Sequence, residues 1–62
     1  STPSPKDKAA ETRQKAAEAR QKAIDDRKRE IEERKQKILA DREAAKKAKE
    51  EKDKEKQNEN NN

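Results

Sequence analysis

The chain has 62 residues, of which 55% are charged, 23% hydrophobic and none aromatic. It contains neither Cys nor His, so disulfide staples and the usual zinc ligand sets are excluded. Its 19 bases and 15 acids leave a net charge of only +4, and the two signs are interspersed along the chain.

The large apolar side chains are Ile24, Ile31, Ile38 and Leu39, and every other hydrophobic residue is Ala. Full burial stabilises each such side chain by about 1.5–3 kcal/mol. Ordering the backbone costs about 1–2 kcal/mol per residue. Four aliphatic side chains cannot offset that cost, so a globular domain is excluded on magnitude. Low hydrophobicity and high charge favour disorder, but interspersed signs and a helix-forming composition favour a long helix. The expected fold class is all-α: one long, isolated, charged α-helix with disordered ends and no globular core.

In chain order, Ser1-Thr2-Pro3-Ser4 reads as a disordered lead-in closing on a helix cap, because residues before Pro avoid the α region. Ser4 is the expected N-cap, with Pro5 at the first helical position and Asp7 completing a capping box. Thr2-Pro3 and Ser4-Pro5 also have the form of proline-directed phosphorylation sites. A phosphate on Ser4 would place negative charge at the helix N-terminus, where it is favoured.

The helix is expected over 5–57. Acids precede bases by four residues at Glu11–Lys15, Glu18–Lys22, Asp25–Arg29, Glu30–Arg34, Glu33–Lys37, Glu43–Lys47 and Glu50–Lys54. Further pairs three residues apart include Asp25–Lys28, Asp26–Arg29, Glu32–Lys35, Glu43–Lys46, Glu51–Lys54 and Asp53–Lys56. Each pair stabilises a helix by about 0.2–0.5 kcal/mol, and acid before base is the better order of signs. Residues 58–62 form an Asn-rich tail of poor helix propensity and are expected to be disordered.

A seven-residue repeat runs through Ala10, Ala17, Ile24, Ile31, Ile38 and Ala45. With the Ile residues at heptad position a, position d holds Arg13, Arg20, Arg27, Arg34, Asp41 and Ala48; with them at d, position a holds Gln14, Gln21, Lys28, Lys35 and Arg42. Either choice leaves half of the seam polar, whereas a stable coiled coil needs both positions apolar. The chain is therefore expected to be monomeric. Ala17, Ile24, Ile31, Ile38, Leu39 and Ala45 form a stripe for weak self-association, a partner helix or a filament.

The sign alternation in DDRKREIEERKQK and KKAKEEKDKEK resembles ER/K-type single α-helix domains, which extend the lever arms of unconventional myosins. The resemblance covers about Glu11 to Lys56, and the sequence departs from the strict pattern of four acids then four bases by its Ala, Gln and Ile. It implies a stiff spacer or lever segment from a larger cytoskeletal or motor protein, cytoplasmic and cytoskeleton-associated, with no active site. The alternative is a weak coiled-coil or filament-binding helix using Ile24, Ile31 and Ile38. A helix that forms on drying is a third reading of the composition.

No enzyme activity, cofactor, metal or small-molecule ligand is expected. Asp25-Asp26 and Glu32-Glu33 are adjacent carboxylates, but adjacent helix positions point about 100° apart. A Ca²⁺ loop is lacking. The pI is about 9.5, yet interleaved acids prevent a basic face and no aromatic can stack on a base, so specific nucleic-acid binding is not expected. The apolar stripe is too narrow for a membrane surface.

Overall fold

A computed structural model describes residues 2–61. Thr2, Pro3 and Ser4 precede a single α-helix, α1, that runs over Pro5–Asn61 and comprises 57 residues. Among the described residues there is no strand, and no side chain is fully buried. No two of the described residues that are distant in sequence come into contact. No helix among the described residues is long and apolar enough to cross a membrane.

The helix begins as its capping residues dictate. The Lys8 amide donates to the Ser4 carbonyl at 3.0 Å, which is the first helical hydrogen bond. The Asp7 amide donates to Ser4 Oγ at 3.2 Å, and the Ser4 amide donates back to Asp7 Oδ2 at 3.4 Å. Two amides that no helical carbonyl could accept are thereby satisfied. Pro5, lacking an N–H, wastes nothing at the first position.

At the other end the helix continues through 58–61, beyond the expected end at Gln57. Neither Gly nor Pro interrupts the chain after Gln57. Extending an existing helix adds one hydrogen bond for each residue fixed, whereas nucleation is met only once. Asn propensity is poor but does not forbid a last turn. The expected coil at Ser1 and Asn62 lies outside the described residues.

The chain divides into two units, Ser1–Ile31 and Glu32–Asn62. The first carries the cap, Ala17, Ile24 and Ile31. The second carries Ile38, Leu39, Ala45 and the Lys-rich stretch before Gln57.

Candidate interaction surface

The side chains of α1 fall into three groups: acids and bases that meet within the helix, aliphatics left uncovered, and charges with no partner on their own helix. The first group differs in detail from the sequence expectation. Glu11–Lys15 closes as expected, at 3.1 Å. The other ion pairs among the described residues are Lys22–Asp26 at 2.7 Å, Arg29–Asp26 at 2.7 Å and Lys37–Asp41 at 2.7 Å.

Lys22 and Lys37 thus turn towards the acid four residues after them, not towards Glu18 and Glu33 before them. Arg29 takes Asp26, its expected partner at i,i+3, and leaves the expected i,i+4 pair with Asp25 open. The expected pairs Glu30–Arg34, Glu43–Lys47 and Glu50–Lys54 are not closed, and no ion pair forms C-terminal to Asp41 among the described residues. The physical reasons are degeneracy and weakness. Lys22, Arg29, Lys37 and Lys47 have an acid a turn away on both sides. Arg34 and Lys54 have acids on one side only, and their open pairs reflect the small worth of an exposed contact, only tenths of a kcal/mol. All three contacts at 2.7 Å use Asp. The shorter Asp side chain has fewer rotamers to lose than Glu when it is held in a pair.

Three Gln side chains take up further acids. Gln21 Nε2 donates to Asp25 Oδ1 at 3.0 Å and Gln36 Nε2 to Glu32 Oε1 at 2.9 Å. Gln14 Nε2 reaches Glu18 Oε1 at 3.5 Å, the outer limit of a hydrogen bond. Thr12 Oγ1 donates to the Lys8 carbonyl at 2.9 Å.

Asp26 is the most shielded residue described, with 36% of its side chain exposed. Lys22 Nζ donates to one of its oxygens and an Arg29 guanidinium nitrogen to the other. The hydrogen bond from Lys22 is the main cause holding the Asp26 carboxyl below its ordinary value of 3.8, with Arg29 adding to it and desolvation opposing it. Reciprocally, the hydrogen bond to Asp26 raises Lys22 above 10.5. The sequence points to Asp26–Arg29 at i,i+3 as well as to Asp25–Arg29 at i,i+4, and the contact from Lys22 is not among the expected pairs. The signal for Asp26 was its flanking by Lys22 at i−4 and Arg29 at i+3.

The second group is the stripe. Ile24 is 48% exposed and Ile31 54% in the first unit; Ile38 is 45% and Leu39 47% in the second. Neighbouring turns of the helix therefore cover only about half of each side chain. Single exposed aliphatics are ordinary on a protein surface, but large aliphatics recurring at a seven-residue spacing mark one face of a helix. Burying the remaining half of one Ile against another surface would contribute on the order of 1 kcal/mol.

The third group is an arginine row. Arg13, Arg20, Arg27 and Arg34 recur every seven residues beside the stripe. None of them closes an ion pair among the described residues. For Arg13 the positions three and four residues away on both sides are all Ala, and for Arg20 they are Ala or Ile. These two guanidinium groups have no acid within helical reach.

Among the described residues, no group of His, Cys, Asp or Glu is arranged to hold a metal ion. No family model, no characterised protein and no solved structure matches this chain.

Proposed function

We propose that this chain is a structural spacer: a single α-helix that holds its own conformation and sets the separation of whatever is attached to its ends. The observation that supports this reading most directly is the 57-residue helix without a buried side chain. Its support is local, namely a reciprocal N-cap and ion pairs between adjacent turns. Each contact links residues three or four positions apart, so removing one loosens one turn and leaves the others in place. The likeness to ER/K-type helices extends the proposal to a lever or spacer segment of a larger motor or cytoskeletal protein, working in the cytoplasm.

The mechanism is mechanical. An α-helix rises about 1.5 Å per residue, so a helix that persists without a partner converts sequence length into distance. Sedimentation equilibrium combined with circular dichroism over a wide concentration range tests the claim. A spacer stays monomeric and helical at low concentration and melts gradually. Helix that appears only as chains associate would overturn it.

The half-exposed Ile24, Ile31, Ile38 and Leu39 favour a second reading, an interaction helix that uses this stripe. The two readings are compatible if association is weak and helix formation does not depend on it.

A further inference from the structure

We propose that the stripe around Ile24 and Ile31 takes a second copy of this chain, aligned parallel and in register, with Arg13 and Arg20 of each copy pairing with Glu18 and Asp25 of the other. The proposal deepens the interaction-helix reading by naming its partner.

The argument starts from the register. With Ile24 and Ile31 at heptad position d, the flanking positions carry opposite charge. Position g holds Arg13, Arg20 and Arg27, and position e holds Glu11, Glu18 and Asp25. One side of the stripe is therefore basic and the other acidic.

Flanking charges set partner and orientation in paired helices. In a parallel, in-register pair, each g residue faces the e residue five positions later on the other helix. Arg13 then meets Glu18, and Arg20 meets Asp25, twice over by symmetry. In an antiparallel pair g faces g and e faces e, so arginine would meet arginine and carboxylate would meet carboxylate. The same sequence thus favours one arrangement and opposes the other.

The structure adds an independent observation. Arg13 and Arg20 close no ion pair on their own helix, because only Ala and Ile lie within reach. Pairing across an interface would cost them no existing contact. Glu18 and Asp25 are held only by Gln14 at 3.5 Å and Gln21 at 3.0 Å, which are neutral donors that a guanidinium can outcompete. Gln14 and Gln21 occupy position a in this register, polar but uncharged. A polar a position weakens a pair while restricting its register. Further along, Lys28, Lys35 and Arg42 occupy position a and would repel their counterparts in a parallel pair. Asp41 and Leu39 also break the two charged rows in the second unit. The association is accordingly weak and belongs to the first unit.

Disulfide exchange tests the orientation. A Cys is appended to the N-terminus of one sample of the full chain and to the C-terminus of another, and the mixture is equilibrated in a glutathione redox buffer at low salt. The head-to-head N-terminal product is expected to exceed the head-to-tail product by about tenfold, the effect of several weak pairs acting together. The variants R13E/R20E and E18R/D25R should each lose that excess, because both flanks of each then carry one sign. An equimolar mixture of the two should form mixed disulfides again, but head-to-head and head-to-tail alike. About 1 M salt should also remove it.

A statistical product distribution, or a head-to-tail excess, would overturn the proposal. An excess that survives both charge reversals but is lost in I24A/I31A would leave an interaction stripe in place and still overturn this pairing. Circular dichroism of the dilute, untagged chain reads the spacer proposal separately, since R13E/R20E disturbs no ion pair closed within the helix.

Discussion

Lys22 and Asp26 are joined at 2.7 Å with the base preceding the acid, while Glu18, four residues before Lys22, is left to Gln14. Asp26 also holds Arg29 at 2.7 Å, so one short carboxylate links two turns of α1. The lowered Asp26 carboxyl and the raised Lys22 ammonium are two views of this one contact.

Replacing Asp26 by Asn removes its charge with little change in helix propensity. Helicity in low-salt buffer at neutral pH should fall further for Asp26→Asn than for Glu43→Gln, whose carboxylate closes no ion pair among the described residues. Circular dichroism of the two variants side by side makes the comparison. Equal losses would show that Asp26 has no special place.

The same node sets a pH dependence. Asp26 titrates below its ordinary value of 3.8, so its contribution is complete above that value and is lost as pH falls through the lowered one. Lys22 titrates above 10.5, so its contribution is complete below that value and is lost as pH rises through the raised one. Helix around residues 22–29 should therefore be firm between these limits and weaken outside them. Carboxyl carbon chemical shifts followed by NMR should place the Asp26 midpoint below 3.8; a midpoint at or above it would contradict the geometry.

The cap has its own signature. Ser4→Ala removes the acceptor of the Asp7 amide at 3.2 Å. Loss of such a cap costs about 0.5–2 kcal/mol. The effect should be local: amide exchange accelerates in the first turns and stays unchanged beyond Ile24. Uniform acceleration along the chain would mean that the helix melts as one cooperative unit.

Replacing Ile24, Ile31 and Ile38 together by Ala should leave helicity equal or slightly higher, because Ala is the better helix former by a few tenths of a kcal/mol per residue. A large drop in a dilute sample would show that the helix depends on contacts made through the stripe.

The last turn is set by propagation alone. Amides of Asn58, Asn60 and Asn61 should exchange faster than those near Ala40, since no cap or ion pair closes C-terminal to Asp41 among the described residues. Equal protection would point to a contact at that end that the helix itself does not supply.

The helix, its start and its lack of a core were all legible in the order of residues. Helix propensity sums over dozens of positions, so no single misjudged residue alters the outcome. Ser4, Pro5 and Asp7 act within one turn, where sequence neighbours are also spatial neighbours. The half-exposure of Ile24 follows equally from having only its own helix to lie against. The pairing of charges was not legible in the same way. Lys22 has carboxylates at four residues on either side, and the alternatives differ by less than thermal energy. Only the placed side chains decided that Asp26 serves both Lys22 and Arg29, and that Lys37 turns to Asp41. Backbone conformation here is a sum of many small preferences and is determined by sequence. Each ion pair is a single choice among near-equals, and rotamer geometry makes it.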